Sequence, residues 1–114
     1  MEHTERRLGD VVIVDLEGKA TFGTRGLELR QIVEELLDSG ERCILLNMAG
    51  VSYLDSSGLG DLVVSFVKVS NRSGQLKLLS LNDKHRDVLG MTGLIDVIPH
   101  FSDETEAVNS FDTA

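Results

Sequence analysis

Residues 43–63 read CILLNMAGVSYLDSSGLGDLV, and the fold turns on how that run divides. Cys43 to Met48 is apolar except for Asn47 and has the length of a strand covered on both faces. Leu59, Leu62 and Val63, continued by Phe66 and Val67, repeat at helical spacing, and NRSG (71–74) ends that helix. Between the two stands Asp55-Ser56-Ser57-Gly58, where a single cap would suffice. A strand feeding directly into an amphipathic helix calls for a parallel sheet with right-handed crossovers.

The flanking sequence repeats the alternation. TERRL, then Gly9-Asp10, then VVIVDLEG reads as a hairpin entering a strand, with Val11 to Val14 as a continuous apolar run. Leu29, Ile32, Val33, Leu36 and Leu37 form one apolar stripe on the next helix, and Gly40 stops it. QLKLLSL (75–81) gives a strand. NDKHRDVLGMTG (82–93) gives a short helix capped by Asn82 or Asp83 and closed near Gly90 or Gly93. LIDVIP (94–99) reads as a last short strand with Pro99 at its end, and SDETEAVNSF as a helix capped by Ser102 or Asp103. The expected fold is a single α/β domain over residues 1–114, with an N-terminal hairpin, a mostly parallel mixed sheet and about four helices.

Composition narrows the function. Nineteen acidic residues against 11 basic give a net charge of −8, with no Lys/Arg run, so nucleic acid and anionic lipid are repelled at long range. No apolar run approaches the ~18–20 residues of a membrane span, and MEHTERRLGD carries no apolar signal region; a soluble cytoplasmic protein is expected. The single Cys43 reads as a small buried thiol. His3, His85 and His100 lack metal-ligand spacing and read as surface or incidental residues; neither metal nor cofactor is expected.

At the strand–helix junction the bare chemistry leaves two readings open. Asp55, Ser56 and Ser57 can simply cap a helix whose first N–H groups lack partners, which contributes ~1 kcal/mol. Gly58 and Gly60 do not fit that reading alone, since each costs up to ~1 kcal/mol against alanine in a helix. Close packing or close approach of another molecule would offset them. The stretch is not G-x-S-x-G and no histidine is placed as a base, which sets serine hydrolysis aside. The phosphate-loop and dinucleotide signatures are absent too, leaving weak nucleotide binding as a minor alternative.

CILLNMAGVSYLDSSGLGDLV resembles the signature of STAS domains, specifically the stand-alone anti-sigma factor antagonists of bacteria. VVIVDLEG is similar to their early strand, and NRSGQLKLLSLNDKHRDVLGMTGLIDVIPHF to their second half. The resemblance implies a non-enzymatic partner switch. The serine directly after the Asp, here Ser56, would be phosphorylated by a partner that is both anti-sigma factor and serine kinase. A PP2C-type phosphatase would reverse it. Asp55, Ser56, Ser57, Gly58, Leu59, Gly60 and Thr21 would form the partner face, with Gly58 and Gly60 giving clearance. Two positions depart from the pattern: Thr21 in GKATFG (18–23) stands where relatives carry an acid, and Asn47 where an Asp is common. The GKATFG segment is expected at the same end of the sheet as the motif, where its change would redirect partner choice. A second reading keeps the fold but makes the chain an accessory or scaffold subunit of a transporter or stress-sensing complex.

Overall fold

The computed structural model describes residues 2–20 and 26–111. Within them lie strand β1 (Glu2–Leu8), strand β2 (Val11–Ala20), helix α1 (Gly26–Asp38), strand β3 (Cys43–Leu54) and helix α2 (Ser56–Asn71). Strand β4 (Gln75–Leu79), helix α3 (Asp83–Met91), a 3₁₀ turn (Leu94–Asp96), strand β5 (His100–Phe101) and helix α4 (Glu104–Asn109) follow. The strands form one sheet in the order β1-β2-β3-β4-β5, antiparallel between β1 and β2 and parallel thereafter.

Alternation along the central strands sorts side chains into two cores. Val12, Val14, Ile44, Leu46 and Met48 face the stripe of α1 together with Leu59, Leu62 and Val69 of α2 and Leu89 of α3. Val11, Ile13, Cys43 and Leu45 face the opposite way, under Ala107 of α4 and Phe111. The expected α1 stripe is buried at all five positions, and the Cys43 thiol is buried. On the smaller face Lys77 lies between two rings, its Nζ 4.7 Å from the Phe111 centroid and 5.9 Å from that of Phe101. The same ammonium donates to the Ser110 carbonyl at 2.8 Å, tying the C-terminal segment to β4, and burial pushes its pKa down.

Because β2 and β3 are parallel, α1 and α2 lie side by side in the same direction. Arg30–Asp61 (2.8 Å), Glu34–Lys68 (3.5 Å) and Asp38–Arg72 (2.9 Å) join them from one end to the other. The rungs are partly exposed and contribute register more than stability.

Three elements differ from their sequence expectation. Strand β3 runs past Met48 to Leu54, pairing Gly50 with Glu17, Val51 with Gly18, Tyr53 with Lys19 and Leu54 with Ala20. The Ala49-Gly50 step is an irregularity in the ladder: a Cβ at Gly50 would lie 2.5 Å from the Leu16 carbonyl oxygen, so only glycine lets the two backbones pass. LIDVIP is not a strand. Gly93, in the left-handed region at φ 76°, turns it into the 3₁₀ turn, Ile98 is buried, and pairing starts at Pro99, whose carbonyl accepts from the Leu78 N–H at 2.9 Å. The buried face of α2 carries Leu59, Leu62, Ser65 and Val69, while Val67 is 46% exposed; with Val63, Val64, Phe66, Val67 and Val69 all apolar, periodicity alone does not fix which side packs.

Candidate functional site

The β3–α2 junction is as short as a junction can be. Leu54 is the last strand residue, Asp55 is extended (φ −95°, ψ −176°), and Ser56 opens the helix. The Asp55 carboxylate accepts from the Gly58 N–H at 2.8 Å, and its carbonyl accepts from the Leu59 N–H at 2.8 Å. Of the side chains able to cap, Asp55 does so, which leaves both serine hydroxyls to other tasks. Ser56 is exposed, and Ser57 is half-buried.

The two glycines separate. Gly58 is buried and its N–H serves the cap; it offers no clearance at the surface. Gly60 is exposed, and a Cβ built on it would meet nothing within 4 Å. Of the two glycines, Gly60 is the one that gives clearance beside Ser56.

The junction borders a groove of ≈ 550 Å³ between the start of α2 and α3. Tyr53, Leu54, Asp55, Ser56 and Leu59 line one side; Lys84, Asp87, Val88, Met91 and Thr92 line the other. Met91 is 83% exposed and Tyr53 48%, a large apolar exposure for adjoining positions of a small domain. Thr21 lies outside the described residues. Strand β2 reaches Ala20 opposite Leu54, so its end does meet the motif end of β3, as the sequence suggests.

Electrostatics around the junction are acidic. Asp61, one turn beyond Gly58, has its pKa raised by burial, with Arg30 opposing and Asp55 adding to the rise. Asn47 does not line the groove: its side-chain amide donates to Asp15 Oδ1 at 2.7 Å, while its carbonyl oxygen accepts from the Ala49 N–H at 3.1 Å. Asp15 also accepts from Arg6 at 2.6 Å, and that bond, ahead of the one from Asn47, holds its pKa down. Among the described residues no cluster of three or more His, Cys, Asp or Glu could hold a metal ion, and no helix is long and apolar enough to cross a membrane.

One residue differs from its sequence expectation. His85 is not a surface histidine: it is 0% exposed, on the inner side of α3. Asn82 caps that helix by accepting from the His85 N–H at 2.7 Å, and His85 Nδ1 accepts from the Asn82 N–H at 3.2 Å. The spacing signals the capping box, since His85 stands three residues after a capping Asn, but not the burial of the ring.

Residues 4–107 match the STAS domain family. The anti-sigma-B factor antagonist of Staphylococcus aureus is 32% identical over 79 residues, 69% of this chain and 72% of that protein. The anti-sigma F factor antagonist of Paenibacillus polymyxa is 24% identical over 90% of this chain and 87% of its own length. A crystal structure of a Thermotoga maritima protein superposes with a TM-score of 0.85, at 26% identity, over 94% of this chain and 92% of that one.

Proposed function

The chain belongs to the STAS domain family, and on that premise we propose that it is an anti-sigma factor antagonist, a cytoplasmic module without catalysis of its own, switched by phosphorylation of Ser56. The observation that carries this reading is the position of Ser56: an exposed hydroxyl on the first residue of a helix already capped by its neighbour, at the rim of an apolar groove. The names of the relatives support the same reading.

Unphosphorylated, the face formed by Asp55, Ser56, Ser57 and Gly60, with Leu59 in the groove, binds an anti-sigma factor that is also the serine kinase. Gly58 acts through its N–H only, and Thr21 is a further contact of the same partner on the family resemblance. Phosphorylation adds roughly −1.5 to −2 charges and three acceptor oxygens. The dipole of α2 favours negative charge at this end, while the capping Asp55 carboxylate beside it opposes the phosphate by like-charge repulsion. A partner surface shaped for a neutral hydroxyl then meets bulk and charge, and the bound state is lost without refolding of the domain. A PP2C-type phosphatase resets the switch.

Incubation with the anti-sigma kinase and ATP tests the assignment. Mass spectrometry should place one phosphate on Ser56, and Ser56→Ala should abolish its uptake. Phosphate on Ser57 or elsewhere, or unchanged uptake by Ser56→Ala, would sink it.

A further inference from the structure

We infer that α3 is an acid-labile wall of the groove, held in place by the neutral form of the buried His85 and released when that ring takes up a proton. The geometry fixes which form the closed state requires. The Asn82 backbone N–H can only donate, so the Nδ1 it meets at 3.2 Å must present a lone pair, and the ring's one hydrogen sits on Nε2. That Nε2 is buried and finds no hydrogen-bond partner; the Val51 carbonyl of β3 influences it without reaching bonding geometry.

A proton from solvent can add only at Nδ1, the ring's remaining lone pair. It would turn the acceptor of the capping box into a donor aimed at a second donor. It would also leave a full positive charge at a site with no exposure. The carboxylates nearby do not compensate. Asp83 and Asp87 on α3 itself, Asp55 at the head of α2 and Asp96 on the 3₁₀ turn are the acids on the elements around it, with Lys84 and Arg86 the cations and Cys43 and Tyr53 the titratable groups of β3, and the hydrogen bonds at His85 run to Asn82 rather than to any of these. Burial, which lowers its pKa, and the Val51 carbonyl are the influences that act. The protonated ring is therefore accommodated by moving out, and α3 carries Lys84, Asp87, Val88, Met91 and Thr92 of the groove with it.

The direction with pH follows. In the open state the ring titrates near ~6.5, and in the closed state below that, so the open state binds the proton more readily. Closure is complete above ~6.5 and weakens as pH falls toward the closed-state value. The inference concerns the wall itself and stands whether or not an anti-sigma factor uses the groove.

Amide hydrogen exchange on the isolated full chain tests it between pH 7.5 and 5.5. Protection factors of Asp83–Met91 should fall by up to about tenfold per pH unit below ~6.5, while those of Ile44–Met48 hold. His85→Gln keeps an acceptor for the Asn82 N–H and cannot titrate, so its α3 protection should stay flat. The same acid-induced loss in His85→Gln, or unchanged α3 protection in the wild type down to pH 5.5, overturns the proposal. Should His85→Gln fail to fold, the wild-type His85 Cε1–H resonance decides: titration in step with α3 opening supports it, and titration with α3 intact overturns it.

Discussion

Two strand–helix junctions sit side by side at the carboxyl ends of β3 and β4, built by one rule and finished differently. Each starts its helix with an Asx cap accepting from the N–H three residues on, Asp55 from Gly58 at 2.8 Å and Asn82 from His85 at 2.7 Å. At α3 the rest of the first turn is spoken for: Asp83 supplies the negative charge the dipole favours, and His85 closes the box from inside. At α2 the turn holds no acid, two serines and a buried glycine, with the first serine exposed. One junction is complete within its own chain. The other is capped by a carboxylate and leaves an exposed hydroxyl at its first position, which is the opening a phosphoryl switch needs.

The largest effect should come from closing that opening artificially. Phosphorylated Ser56 should bind the anti-sigma factor over a hundredfold more weakly, which corresponds to ~3 kcal/mol; calorimetric titration against the purified partner reads it. Ser56→Glu should move affinity the same way while leaving the unfolding midpoint unchanged or slightly raised, since an acid in the first turn contributes ~0.3–1 kcal/mol. The mirror change, Asp83→Ser, should lower stability by that amount and leave binding near wild type. If both substitutions moved binding equally, the two junctions would not differ in function.

How these junctions read from sequence depends on what fixes each feature. Caps are local chemistry, so Asp55, Asn82 and Asp103 are visible in the chain among the candidates at each helix start, and each accepts from the N–H three residues on. The α1 stripe is legible because its polar and apolar positions alternate cleanly. The end of β3 is not, because Gly50 is chosen by the Leu16 backbone across the sheet, and nothing beside it in sequence says so. Nor is the burial of His85, a ring set among Asp83, Lys84, Arg86 and Asp87, whose inward direction comes from the packing of α3 on β3. Ser56 was readable as a candidate only through the family motif. Chemistry alone assigned three possible caps to one helix end.

Removing the caps should separate the junctions by a smaller margin. Asn82→Ala should lower stability by ~1–2 kcal/mol, because the His85 N–H loses its acceptor in a turn whose side chain is buried. Asp55→Ala should cost ~1 kcal/mol or less: it loses the Gly58 bond but relieves repulsion on Asp61, whose pKa Asp55 helps to raise. Chemical denaturation at pH 7.5 reads both, and a larger loss for Asp55→Ala would reverse the assignment of α3 as the more self-contained junction.

The smallest effect tests whether the parallel extends into the core. Each helix buries one polar side chain with an unpartnered atom, His85 Nε2 on α3 and Ser65 Oγ on α2, both at residues 0% exposed. They are not equivalent, because the other ring nitrogen of His85 completes a cap, whereas no hydrogen bond engages the Ser65 hydroxyl. A buried hydroxyl without a partner is penalised for the water it has lost, and serine is also a poorer helix former than alanine. Ser65→Ala should therefore stabilise the chain by about 1 kcal/mol, seen as a higher denaturant midpoint at unchanged slope. A lower midpoint would mean that the hydroxyl is bonded in solution and that α2, like α3, uses its buried polar group to hold the helix against the sheet.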